Sequence, residues 1–125
     1  MLITPRPGAD RKVILRALQG ACREAELILL DRGTEEEPFD RLLHYLEWTT
    51  IAAHLLRPHV SDKDLDHLVF TPSYHSLLGS CGSLEGDGAK SQLVYRLVEL
   101  AADERIQALQ EAEAALDAQI LNLIG

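Results

Sequence analysis

The chain has 125 residues and a net charge of −8 at pH 7; 46% of its residues are hydrophobic and 5% are aromatic. This length can bury the core of a single domain, residues 1–125, without disulfides, and the many Leu, Ala, Ile and Val residues favour packed helices over a sheet. The acidic balance argues against a nucleic-acid partner, because a phosphate backbone is held by clustered Lys and Arg.

The first two helices are marked by residues at their ends. Residues 1–8 are rich in proline and predict an extended segment, after which apolar residues recur at helical spacing over about residues 9–31. Gly33 ends this helix, because glycine readily adopts the left-handed cap. Thr34 and the three glutamates after it form a capping box, which starts a second helix that runs to Arg57.

The second predicted helix is apolar on two faces. Its core stripe is expected to contain Phe39, Leu42, Leu43, Leu46, Thr50 and Ala53. The opposite face carries His44, Trp48, Ile51, Ala52 and Leu55. A helix of this kind either lies at the centre of its bundle or uses the second face on another chain.

Two short helices and a loop are predicted next. Ser61 or Asp62 caps the first short helix, and Pro72 opens the second, which Gly79 closes. Residues 79–88 contain four glycines and predict a flexible loop. A cluster at the start of the second short helix contains Phe70, Pro72 and Tyr74, and it is expected to close one end of the bundle.

The last helix is predicted to be unusually long. Apolar residues recur from Ala89 with no proline or glycine before Gly125, so about 33 residues would form a helix ~50 Å long. This helix either bends back near Asp103 or projects past its bundle. Its apolar positions 106, 109, 116, 120 and 123 suit a coiled-coil seam in which Glu113 is the misfit. The apolar end needs a cover, which is the chain's own core, a second subunit or the rest of a longer protein.

Charge is uneven along the chain. Residues 1–30 hold five basic and three acidic side chains, whereas residues 97–125 hold one basic and six acidic side chains. The two ends therefore attract each other, and they pair either within one bundle or between two copies.

The glycine-rich loop fails as a phosphate-binding loop. The pattern G-x-x-x-x-G-K-[ST] requires glycine before the lysine, but Ala89 precedes Lys90 and Leu84 occupies the first glycine position. No strand precedes the loop. We interpret it as a linker in which Asp87 caps the following helix.

Histidine spacing does not predict a metal site. His44 with Glu47, and Asp64 with His67, share helix faces, but a di-iron bundle needs Glu-x-x-His twice and two further glutamates. The remaining histidines, at positions 54, 59 and 75, add no ligand pattern. No metal and no cofactor are therefore expected.

The two cysteines indicate which cellular compartment the chain occupies and whether thiol chemistry is expected. Cys22 and Cys81 are too few for a disulfide framework, which is typical of a reduced cytoplasmic protein, and Cys81 has no nearby base that would activate a thiolate. No basic start leads into a long apolar run, so neither a signal peptide nor a membrane partner is predicted. No residue is assigned a catalytic role, and an enzyme is not expected.

Together these patterns predict an all-α fold, an up-and-down helical bundle of three long helices and one or two short ones with a long C-terminal helix. The predicted function is non-catalytic protein–protein interaction, as a regulatory or adaptor domain that self-associates into a homodimer through apolar helix faces. The expected anchors are Trp48, Ile51, Leu55, Leu116, Ile120 and Leu123.

Two other functions stay open. One is an acidic inhibitor or nucleic-acid mimic, whose carboxylates along residues 35–40 and 99–117 would occupy a basic groove on a partner protein. The other is a small ligand-binding or enzymatic bundle with its pocket near residues 71–91.

Overall fold

The computed structural model of the chain describes residues 3–25, 38–81 and 88–124, and these form an all-α helical bundle. The helices are α1 (Arg11–Ala25), α2 (Pro38–Leu56), α3 (Asp62–Leu68), α4 (Pro72–Cys81) and α5 (Gly88–Ile124). The predicted fold class is confirmed, with three long helices, two short ones and a long C-terminal helix. The predicted cap at Gly33, the capping box at Thr34 and most of the glycine-rich loop lie outside the described residues.

The N-terminal segment is tied to the turn after α2. Pro5 forms an isolated antiparallel bridge with Val60, the Arg6 amide donates to the His59 carbonyl (2.9 Å) and the Ser61 amide donates to the Thr4 carbonyl (3.2 Å). The amide of Thr4 also donates to the buried carboxylate of Asp64. Residues 3–6 are therefore extended, as predicted, whereas Pro7 and Gly8 form a turn in which the Ala9 amide donates to the Arg6 carbonyl (2.9 Å) and Gly8 has a positive φ.

Local signals place the two short helices. Ser61 is the N-cap of α3, and its hydroxyl accepts a hydrogen bond from the Asp64 amide (3.2 Å). Pro72 is the first residue of α4, where a missing amide hydrogen costs nothing, and Thr71 accepts from the Tyr74 amide (3.4 Å). Both predicted starts are confirmed.

The predicted end of α4 at Gly79 is wrong. The helix continues to Cys81, and a Cβ atom at Gly79 would meet nothing within 4 Å. Gly79 has no positive φ, so it is an ordinary helical residue on an open surface and not a left-handed cap.

The C-terminal helix α5 is continuous over 37 residues, which makes it about 55 Å long. It does not turn back near Asp103. Glu113, the misfit of the predicted seam, is only half-buried because the neighbouring Ala112 fills the core position. The side chains of α5 that are buried are Val98, Ala101, Ala102, Arg105, Leu109, Ala112 and Leu116.

The predicted core stripe of α2 is only partly correct: Ala53 is buried, and Leu42 and Leu46 pack against the core. Leu43 is 57% exposed and Thr50 is exposed, while Tyr45, Trp48 and Leu56 are completely buried. The reason is that α2 packs against both α1 and α5, so its largest side chains point between those two helices. The interpretation of α2 as a central helix is thereby supported.

Candidate functional site

Two of the six predicted interaction anchors lie in the core of the single chain. Trp48 is 0% exposed and its indole Nε1 donates to the Ala21 carbonyl of α1 at 2.9 Å. Leu116 is 1% exposed on the inner side of α5. Neither side chain is a surface anchor in this structure, because both already bury their apolar area within their own chain.

Three further anchors are half-buried against the same core. Ile51, Leu55 and Ile120 pack on it without being enclosed. A Cβ atom at Gly20 would lie 3.6 Å from Leu55, so Leu55 partly covers α1. The side chain of Leu123 lies outside the described residues. The more accessible apolar side chains are Val13, Leu43, Leu78, Leu100 and Leu121.

Helices α1 and α5 present opposite charges side by side. Lys12, Arg16 and Arg23 are exposed on α1, at spacings that place them on one side of a helix. On α5 the residues Glu99, Asp103, Gln110, Glu113 and Asp117 follow one another at helical spacing, and all but half-buried Glu113 are exposed.

A groove of about 320 Å³ lies between α1 and α5. It is lined by Leu15, Gln19, Gln110, Glu113, Ala114 and Asp117, so part of the acidic strip forms one of its walls. Gln19 Nε2 donates to Glu113 Oε1 across the groove at 3.3 Å. Within the part of the chain that the structure describes, Lys12, Arg16 and Arg23 form no ion pair with a carboxylate. We call this combination of strips and groove the α1–α5 face.

A second site is built around one buried cation. Arg105 of α5 is 0% exposed and lies beneath α2 and the segment after α3. Its Nε and Nη2 atoms both donate to the Val69 carbonyl, at 3.0 and 2.7 Å, and Nη1 donates to Thr49 Oγ1 at 2.8 Å. The Thr49 hydroxyl in turn donates to the Tyr45 carbonyl at 2.8 Å.

Aromatic rings complete the surroundings of the guanidinium. Its central carbon lies 4.3 Å from the ring centroid of Tyr45, 4.6 Å from that of Trp48 and 5.8 Å from that of Tyr74. Such distances allow cation–π attraction, which is strongest when the cation is shielded from water. The contacts replace part of the hydration that Arg105 loses on burial.

The guanidinium has no carboxylate partner among the residues described. Glu104, the neighbouring acid, instead accepts a hydrogen bond from the Ser73 hydroxyl of α4. Burial lowers the pKa of Arg105 to about 10, although Tyr45 and Tyr74 raise it in part. A buried charge without a counter-charge is costly, and strongly perturbed groups of this kind mark functional sites more often than chance.

The phenol of Tyr45 provides a pH test of this centre. Burial raises its pKa from the ordinary 10.0 to about 12, while Arg105 pulls it partly back. Because the folded pKa is above the unfolded one, the protonated phenol stabilises the fold fully below about pH 10, and this contribution is lost as pH rises through about 12.

In an ultraviolet titration we therefore expect one of the three tyrosines to ionise about two pH units later than an exposed phenol. Tyr45→Phe is expected to remove this late step and to keep the fold, because phenylalanine retains the buried ring and its contacts with Trp48 and Arg105. Ionisation of all the tyrosines near pH 10 in a chain that is still folded, as judged by circular dichroism, would contradict the burial of Tyr45.

An open groove lies beside the buried cation. It has a volume of about 490 Å³, and α2 contributes most of its wall while Phe70 and Tyr74 close it from the other side. Thr49 and Tyr74 line this groove and also contact Arg105, so the groove and the guanidinium share a wall. The groove is lined by Leu46, Thr49, Thr50, Ala53, His54, Arg57, Pro58, Phe70 and Tyr74.

Arg105 was not among the residues predicted from the sequence, although its position in the sequence carries a signal. Position 105 falls on the same helical stripe as Val98, Ala101, Leu109 and Ala112, all of which are buried. A lone arginine on an otherwise apolar stripe indicates a buried cation. Phe70 and Tyr74 were expected only to close one end of the bundle. Their ring centroids are 5.4 Å apart, and the two rings form one wall of the groove.

Other candidate chemistry finds little geometric support in the described part of the chain. No three His, Cys, Asp or Glu side chains there come together as metal ligands. None of the described helices combines the length and hydropathy needed to cross a membrane.

Models of known protein families, curated protein sequences and solved structures were compared with the chain, and none of them matches it.

Proposed function

We propose that this chain is a non-catalytic interaction domain that associates with a second copy of itself through the α1–α5 face. The observation that carries the proposal is the arrangement of a basic strip on α1 beside an acidic strip on α5, with Lys12, Arg16 and Arg23 unpaired among the described residues. Of the two pairings open to the charged ends of the chain, this arrangement favours the one between copies.

The α1–α5 face is complementary to itself. A two-fold axis that runs along the groove between the two helices places α1 of each copy over α5 of the other copy. The dimer therefore contains two identical α1–α5 contacts. Each basic strip then meets an acidic strip. A two-fold axis across the helices would instead bring like charges together, so the charge pattern selects one dimer geometry.

Apolar side chains contribute to the same face. Leu15 and Ala114 line the groove, Ile120 is half-buried, and Leu121 is 63% exposed farther along α5. A specific dimer needs about 800 Å² of buried surface on each subunit. Of the three half-buried anchors, Ile120 is the closest in sequence to this groove, whereas Ile51 and Leu55 lie on α2.

The alternative function, an acidic inhibitor or nucleic-acid mimic, draws on the same helix. Glu99, Asp103, Glu111 and Asp117 are exposed along α5 and could imitate a row of phosphates for a basic partner. That alternative needs only the acidic strip, whereas the dimer also needs the basic strip of α1. Substitutions in α1 therefore separate the two functions.

Charge reversal gives the sharpest test of the dimer. By light scattering at low salt we expect a mass of twice 13.9 kDa. Lys12→Glu with Arg16→Glu, and separately Glu113→Lys with Asp117→Lys, should each weaken the dimer at least about tenfold, because like charges then face each other. An equimolar mixture of the two variants should dimerise again, since every strip in the mixed dimer regains an opposite partner.

Two matched controls lie away from the face. Lys63→Glu on α3 and Glu111→Lys elsewhere on α5 change exposed charges and should leave the mass unchanged. High salt should shift the parent chain towards monomer, because at about 1 M the screening length is only ~3 Å. A monomer at low salt, or a mixture that stays monomeric, would refute the proposed face; a salt-independent dimer would point to apolar anchors instead.

A further inference from the structure

The groove beside Arg105 differs in charge from the rest of the chain. The chain has 20 acidic residues and 12 basic ones, yet none of the nine residues that line the groove is acidic. His54 and Arg57 are exposed at one end of its wall. The acids nearest to the lining in sequence are Glu47, which is exposed on α2 and does not line the groove, and Asp62, which is paired with Arg6 at 2.9 Å.

Arg105 adds positive potential from behind the wall. Its guanidinium is fully buried, has no carboxylate partner among the described residues and touches the groove residues Thr49 and Tyr74. A charge in a low-dielectric interior is weakly screened, so its field reaches a neighbouring cavity more strongly than that of a surface arginine. An anion in the groove would supply the negative charge that Arg105 otherwise lacks.

The other side chains of the groove are suited to an apolar body. Leu46, Ala53, Phe70 and Tyr74 form its non-polar wall, and the volume of about 490 Å³ is within the range of small-ligand pockets. Such pockets combine a mainly apolar lining with a few polar groups that fix orientation. Here His54 and Arg57 are those groups, and Arg57 has the planar donor geometry that matches a carboxylate.

From this geometry we infer that the groove between α2 and the Phe70–Tyr74 wall binds a small organic acid, in which one carboxylate is joined to an apolar body. The carboxylate lies at Arg57 and His54, and the body lies against Phe70 and Tyr74. This site is on a different surface from the α1–α5 face, so it stands whether or not the chain dimerises.

Isothermal titration calorimetry on the full chain tests the inference with four probes. Octanoate and phenylbutyrate carry the required head and body and are expected to bind. Acetate, which lacks the body, and phenylbutyramide, which lacks the charge, are expected to bind at least about tenfold more weakly, because each loses one of the two interactions. Equal binding of the acid and its amide would overturn the inference.

Variants identify the groove as the place of binding. Arg57→Gln is expected to weaken phenylbutyrate about fivefold to tenfold by removing a charge-assisted hydrogen bond, and Thr50→Trp is expected to abolish binding by filling the groove. Both positions are exposed, so the fold should tolerate the changes.

The matched controls are Lys63→Gln, which removes a cation outside the groove, and Leu43→Trp, which places the same large side chain at an exposed position of α2. Both should bind phenylbutyrate like the parent chain. If Arg57→Gln and Thr50→Trp bind like these controls, or if neither acid binds the parent chain at all, the groove is not an organic-acid site.

Discussion

Replacement of Trp48 by alanine is expected to lower the free energy of unfolding by about 3–5 kcal/mol, which is the usual cost of removing a large aromatic side chain from a core. Trp48 is 0% exposed, donates from Nε1 to the Ala21 carbonyl and packs edge-on against Tyr45 with ring centroids 5.9 Å apart. The variant therefore loses apolar contact, a buried hydrogen bond and one face of the Arg105 surroundings together.

Urea unfolding followed by circular dichroism measures this loss. Leu43→Ala is the matched control, because Leu43 lies on the same helix but is 57% exposed, and it should cost less than about 1 kcal/mol. Trp48→Phe keeps most of the volume and should cost an intermediate amount, about 1–3 kcal/mol, for the lost hydrogen bond from the indole to the Ala21 carbonyl.

The same measurement decides between the two interpretations of α2. A Trp48→Ala chain that is as stable as its parent but no longer associates would contradict the buried position and make Trp48 an interface residue. A destabilised chain is the result that the structure predicts. A loss of 3–5 kcal/mol is a large share of the total, since domains are commonly stable by only about 5–15 kcal/mol.

Helix starts were predictable because their signals are local. The hydroxyl of Ser61 caps α3 and Pro72 opens α4, and both act through backbone groups within one turn of the chain. The length of α5 was predictable for a similar reason, because no proline or glycine interrupts it. The predicted end of α4 at Gly79 was wrong because glycine is common after the last turn of a helix but does not by itself end one.

The buried face of α2 was not predictable from spacing alone. Periodicity shows that α2 has two apolar stripes, but the choice between them depends on where α1 and α5 lie. Trp48 and Ala52 of the second stripe are buried because those helices flank them, and so is Tyr45, which belongs to neither predicted stripe. Local pattern therefore predicted the three long helices and left one or two short ones open, whereas tertiary contacts determined which residues became core.

The groove beside Arg105 also depends on tertiary contacts that local sequence does not reveal. His54 and Arg57 are ordinary surface residues in sequence, and nothing nearby in the chain relates them to Phe70 or Tyr74. The groove exists because α2 and the start of α4 pack over Arg105, which is distant in sequence from both. The predicted pocket near residues 71–91 coincides with this groove only at Tyr74.

Arg105→Ala is expected to destabilise the fold by about 3 kcal/mol, the second large effect. The change leaves a cavity among Tyr45, Trp48 and Tyr74 and removes both hydrogen bonds to the Val69 carbonyl, which becomes a buried acceptor without a donor. These losses exceed the gain from no longer burying a charge, because the aromatic rings and hydrogen bonds already compensate part of that burial.

Arg105→Met separates volume from charge in the same unfolding assay. Methionine fills much of the cavity and contacts aromatic rings well, so this variant should lose only about 1–2 kcal/mol, chiefly for the unpaired Val69 carbonyl. If Met and Ala at position 105 are equally destabilising, the stabilisation comes from the hydrogen bonds of Arg105 and not from the volume that its side chain fills. The cavity would then not explain the loss in Arg105→Ala.

The Arg105→Ala and Arg105→Met variants together also test whether the charge of Arg105 is needed for folding. An apolar residue that preserves most of the stability would mean that folding does not require the charge of Arg105. Arg105→Met should then retain the fold and the α1–α5 face but bind phenylbutyrate more weakly, because the groove would lose the potential behind its wall. Unchanged binding in that folded variant would limit the role of Arg105 to packing and leave Arg57 as the cation that recognises the acid.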